Sequence, residues 1–170
     1  MDKDRIEQGI FQFSMGATKF NQANEMYHYL VQTKEHKEKY KTTNDIIKRD
    51  VDRQSCMDNI ARGIDLMLKG LVYIYTDEDI PEKDHRIRSN ITILTQQYGN
   101  YPELYKLDST LQELNDKGRL VHAFISNCNY TKISIKTSTL DTLYECGESL
   151  QVFGTKANLF DYDEFMATVK

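Results

Sequence analysis

The stretch Ile60-Ala61-Arg62-Gly63-Ile64-Asp65-Leu66-Met67-Leu68-Lys69-Gly70-Leu71-Val72-Tyr73-Ile74-Tyr75 decides the fold. Ile60, Ile64, Met67, Leu68, Leu71, Ile74 and Tyr75 recur every three or four residues, which lays a wide apolar stripe along one helix. Val51 and Met57 extend that stripe upstream. Ala61 and Gly63 are small enough to let a neighbouring helix approach closely.

Upstream, Phe13, Ala17, Phe20, Ala23, Tyr27 and Leu30 mark a first helix of the same kind, continuing into the charged stretch Thr33 to Lys41 as a solvated helix end. Thr42-Thr43-Asn44-Asp45 breaks the pattern and supplies N-cap oxygens for the second helix. Downstream, Thr76 to Asp84 is a loop, because Pro81 lacks an amide hydrogen and biases Ile80 away from helix. Ile87, Ile91, Leu94 and Tyr98 mark a third helix, stopped by Tyr98-Gly99-Asn100-Tyr101-Pro102, and Pro102 suits the first turn of a fourth. That fourth helix carries Leu104, Leu107, Leu111, Leu114, Val121 and Ile125 at a nearly heptad interval. Gly118 lies inside it at a cost of about 1 kcal/mol relative to alanine. Tyr130 to Thr137 alternates polar and apolar residues and reads as a short extended segment. Ser138 with Asp141 resembles a capping box, opening a last helix with Leu140, Leu143, Gly147, Leu150 and Phe153. Five helices with short connectors, no repeat and no linker predict a single all-α helical bundle over residues 1–170.

Composition agrees. The 170 residues suit one domain, and 39% hydrophobic with 28% charged residues is the balance of an ordinary globular chain. No run of 18 apolar residues is present, and Met1 to Gln8 leads into no signal-peptide core, so a cytoplasmic protein without membrane contact is expected. Cys56, Cys128 and Cys146 lack the paired spacing of a zinc site and are read as buried free thiols; no metal and no cofactor are expected. Asn90-Ile91-Thr92, Asn129-Tyr130-Thr131 and Gly154-Thr155-Lys156 match short motifs only by chance.

The formal net charge of −4 gives no general affinity for nucleic acid, but the charges are unevenly spread. Lys117 to Leu140 holds no acid while carrying Lys117, Arg119, Lys132 and Lys136, and His85 to Pro102 holds no acid while carrying Arg86 and Arg88. These six cations are the candidate RNA-binding residues.

Two stretches carry a resemblance. Ala61 to Leu71 has a small residue, an acid (Asp65, where glutamate is usual) and then a leucine-lysine-small-leucine run. Asp84-His85-Arg86-Ile87 resembles the start of the following helix. Together these are similar to the HEPN superfamily, small helical bundles often found in toxin–antitoxin and phage-defence systems, in its nucleotidyltransferase-associated branch. Lys117-Gly118-Arg119-Leu120-Val121-His122-Ala123-Phe124 resembles the superfamily's ribonuclease motif, an arginine followed four to six residues later by histidine. Val121 and His122 match it, and Phe124 stands where tyrosine is frequent. Lys117 occupies the arginine position, Gly118 replaces its polar neighbour, and Arg119 is three residues from His122.

The chemistry behind such a motif is general. Metal-free RNA cleavage needs a base with a pKa near 7 for the ribose 2′-hydroxyl and fixed positive charge at the phosphate. His122 is the candidate base or acid, and Lys117 or Arg119 would stabilise the phosphorane. On a helix Arg119 and His122 are neighbours, whereas Lys117 and His122 are not. The resemblance implies a homodimer that brings two copies of the segment together, giving eight cations. Three functions follow. The first is a defence or toxin–antitoxin component that binds RNA or a protein partner, with degenerate catalysis. The second is an active metal-independent endoribonuclease. The third is a non-catalytic adaptor or inhibitor of another protein, such as a nucleotidyltransferase. Beside these stand plainer expectations. Asp65 and Lys69 form an ordinary helix salt bridge, His85 caps or packs the third helix, His28 and His36 lie at the surface, and the 11 tyrosines and seven phenylalanines are core and interface residues.

Overall fold

A computed structural model describes residues 2–32, 42–80, 87–110, 112 and 137–169, with side chains at all of these except 30–32, 87–89 and 137–139. Helix α1 spans Lys3–Gln32, α2 Thr43–Tyr75, α3 Ile87–Gln97, a 3-10 helix Pro102–Leu107, α4 Thr137–Lys156 and α5 Tyr162–Thr168. Among the described residues there is no strand, and no helix is long and apolar enough to cross a membrane. The architecture is the all-α bundle expected from the periodicity.

The two long helices, of 30 and 33 residues, run antiparallel with their backbones in contact. The reason is a pair of glycines on each, seven residues apart. A Cβ on Gly9 would lie 2.8 Å from the carbonyl of Gly70, and one on Gly16 would lie 2.6 Å from that of Gly63. The converse also holds, at 2.6 Å from Gly70 to Gly9 and 2.8 Å from Gly63 to Gly16. One heptad further on, Cys56 reaches the carbonyl of Ala23 through its Sγ at 3.8 Å. Heptad spacing keeps the small residues on one seam, which lets two helices approach until backbone meets backbone.

The other seam of α1 carries the large residues. Ile6, Phe13, Phe20 and Tyr27, again seven apart, are buried. Phe20 packs on α4 where a Cβ at Gly147 would lie 2.0 Å from its ring, and Phe13 does the same at Gly154, at 2.3 Å. Helix α1 therefore has close backbone contact with α2 along one seam and aromatic rings against α4 along the next. Helix α2 lies at the centre, buried from Cys56 to Tyr75 along most of its circumference. Helix α3 adds Ile91 and Leu94 to the core, and the 3-10 helix adds Leu104 and Leu107.

The ends follow local chemistry. Thr42 caps α2 in a full capping box: its side chain accepts from the Asp45 amide, and the Asp45 carboxylate accepts from the Thr42 amide at 3.0 Å. Helix α4 ends with Asn158 at φ 56°, where the Leu159 amide donates to Gly154 and the Asn158 amide to Thr155, the left-handed stop that asparagine tolerates. Arg5 ties the first turn of α1 to the chain leaving α2. Its guanidinium lies 4.9 Å from the centre of the Tyr73 ring and donates to the Thr76 carbonyl at 3.0 Å and to the Glu78 carbonyl.

Several expectations need correction. Val51 does not extend the apolar stripe, being 57% exposed, whereas Met57 does. Pro102 opens a 3-10 helix where an α-helix was expected. The expected capping box at Ser138 rests on a side chain outside those described; within α4, the Asp141 carboxylate accepts from the Tyr27 hydroxyl at 2.8 Å. Helix α5 was not anticipated, although Asp161 caps it by accepting from the Glu164 amide at 3.0 Å. The expected helical run from Leu111 to Ile125 and the extended segment before Thr137 fall outside the described residues, apart from Gln112.

Candidate functional site

Three polar features stand out. The first is in the core. Asp65 and Lys69 of α2 form an ion pair with Oδ2 and Nζ 3.1 Å apart, their side chains only 4% and 6% exposed. From α3, the Asn90 amide donates to the other Asp65 oxygen at 3.4 Å, and Asn90 is buried too. The pair has the expected i, i+4 spacing, but it is a core feature rather than a surface one. Two charges are held out of water at substantial desolvation cost, and their pairing offsets that cost. Being closed to solvent, the pair positions α3 on α2 and presents no acid or base to an outside substrate.

The second feature joins α1 to α4. The rings of Tyr27 and Tyr144 stack with centroids 3.8 Å apart and planes within 6° of parallel. Tyr144 donates its hydroxyl proton to the Asn24 side-chain oxygen, and His28 Nε2 lies 3.2 Å from the same hydroxyl. His28 is thus half-buried in a polar contact, with Nδ1 enclosed and without a partner among the described residues, and not at the open surface. Burial, with Glu148 beside it, pushes the Tyr144 hydroxyl up to about 12. Burial and Asp141 push Tyr27 up as well. Both phenols stay neutral near pH 7 and act as hydrogen-bond donors, which makes this cluster a tie between helices.

The third feature is concave, with a volume of about 430 Å³. It lies between α4 and the chain from Lys106 to Thr110. Leu107 and Phe153 form a buried floor, and exposed Val152 adds an apolar wall. Glu145, Glu148, Lys106 and Lys156 rim it. It has the form of a recognition groove, apolar within and charged at the edge.

Lys117, Arg119, His122, Lys132, Lys136, Arg86, His85 and His36 lie outside the described residues, as does Cys128, and Arg88 is described only as backbone in α3. Cys56 and Cys146 are buried free thiols as expected, and burial pushes Cys56 up to about 12, which keeps it protonated. Among the described residues no cluster of three or more His, Cys, Asp or Glu side chains could hold a metal ion. Sequence reasoning missed the groove and the Tyr27–Tyr144 tie, since neither leaves a local pattern in the chain. Comparison with protein-family models, curated proteins and solved structures finds no match to this chain.

Proposed function

We propose that this chain is a HEPN-like component of a defence or toxin–antitoxin system. It works in the cytoplasm as a homodimer and binds RNA through Lys117, Arg119, Lys132 and Lys136 together with Arg86 and Arg88. The observation that carries this reading is the partition of charge. Lys117 to Leu140 holds four cations and no acid, and His85 to Pro102 holds Arg86 and Arg88 and no acid, in a chain whose net charge is −4. The chain as a whole has no general attraction for a polyanion, and RNA would be held by these two acid-free stretches. His122 lies within the same cation-rich segment, where cleavage would follow binding if Arg119 supplies the phosphate contact.

The test is binding of a labelled single-stranded RNA by the wild type and by the Arg119→Glu, Lys132→Glu double variant. Reversing two phosphate-contacting charges is expected to weaken binding about tenfold or more while the melting temperature holds. Equal binding by both proteins would remove these residues from the interface.

A further inference from the structure

We propose that the groove between α4 and the 3-10 helix docks a short peptide segment of a partner protein, with apolar residues flanked by a basic side chain at one end and an acidic one at the other.

The groove's polarity argues for this occupant. Cys146 Sγ lies 3.5 Å from the Thr110 carbonyl, which sets Thr110 beside the middle of α4. The Tyr75 ring touches both Tyr101, at 5.6 Å between centroids, and Phe153, at 6.2 Å, so the start of the 3-10 helix lies near the C-terminal part of α4. The two walls therefore run antiparallel. Along α4, Glu145 stands at the Thr110 end, Glu148 follows one turn on and Lys156 stands at the other end, with Lys106 on the opposite wall. Eleven residues of helix separate Glu145 from Lys156, about 16 Å at 1.5 Å per residue. That span matches about five residues of extended chain.

A ligand of one sign, whether a nucleic acid strand or an anionic tail, would meet a like charge at one end. A segment with opposite charges at its ends satisfies both. Between them, Leu107, Val152 and Phe153 supply the apolar contact, and Val152 is 52% exposed. Covering that surface and pairing both ends is the form of peptide recognition in which side-chain pockets and charge set specificity. The lining of the groove shares no residue with the RNA-binding set named above, so either proposal can fail without the other.

The experiment uses three fluorescently labelled five-residue peptides with blocked ends and a shared leucine–phenylalanine–leucine centre. One carries lysine and glutamate at its two ends, one lysine at both, one glutamate at both. The wild type is expected to bind the mixed peptide at least about tenfold more tightly than either other. Glu145→Lys leaves Glu148 as the remaining acid among the lining residues, gives the rim a net positive charge and shifts the preference toward the peptide with two glutamates. Val152→Asp weakens binding of all three. Both positions are exposed, so the melting temperature serves as a check that the fold is intact. Equal binding of the three peptides, a preference unmoved by Glu145→Lys, or no binding up to about 1 mM would each overturn the proposal.

Discussion

Replacing Asp65 with alanine is expected to lower the unfolding free energy by about 3–5 kcal/mol. The carboxylate pairs with Lys69 at 3.1 Å in a site where both side chains are almost wholly excluded from water. Removing it leaves an ammonium in the core without its counter-charge and deprives the Asn90 amide of its acceptor. Removing both charges is a different experiment. An Asp65→Leu, Lys69→Met double variant buries neither of these two charges, and it is expected to lie within about 2 kcal/mol of the wild type. Urea unfolding of the wild type, both single variants and the double variant gives the coupling directly. Additive losses would show that the two side chains do not interact in the folded protein.

Gly63→Ala is the second large effect, and its sign is the informative part. Alanine in the interior of a helix gains about 1 kcal/mol over glycine, so a free surface would make this substitution stabilising. Here the new Cβ would lie 2.8 Å from the Gly16 carbonyl oxygen and 2.9 Å from the Phe20 amide nitrogen. Those are backbone atoms of α1, and they cannot turn aside as a flexible side chain would. The helices must separate, and a net loss of about 2 kcal/mol is expected, with Gly63→Leu losing more. Gly99→Ala is the control. Nothing lies within 4 Å of its added carbon, and stability should change by no more than about 0.5 kcal/mol. A rise in melting temperature for Gly63→Ala would mean that the two helices do not touch there.

The same glycines mark how far the sequence could be read. The apolar stripe of Ile60 to Tyr75 gave the central helix directly, because burial on most sides of α2 demands that pattern. Gly63 was legible as a point of close approach. The full seam of Gly9, Gly16 and Ala23 against Gly70, Gly63 and Cys56 is also written in the chain, but as a seven-residue repeat of small residues, which an apolar-stripe search passes over. Asp161 with Asp163 and Glu164 had the marks of a helix start, yet α5 has only seven residues and too little periodicity to register.

Other features had no local signal at all. Asp65 and Lys69 look the same in sequence whether they face water or the core; the tertiary packing around α2, with Asn90 of α3 against Asp65, decides. The groove depends on Leu107 meeting Phe153, residues far apart in the chain, so no local spacing could announce it. Val51 continued the stripe by position, but the first turns of α2 leave it exposed. Lys117, Arg119 and His122 were found by motif and charge alone, and their chemistry rests on those grounds.

The most direct measurement is the affinity of the wild-type protein for a labelled single-stranded RNA as a function of salt concentration, with EDTA present throughout. If about four phosphates are neutralised, the logarithm of the binding constant falls against the logarithm of salt with a slope of about −3, each phosphate on a single strand contributing about −0.7. A slope of that size is the expected result. No binding at low salt, or binding that does not weaken as salt rises, would contradict RNA recognition by the cation-rich segments.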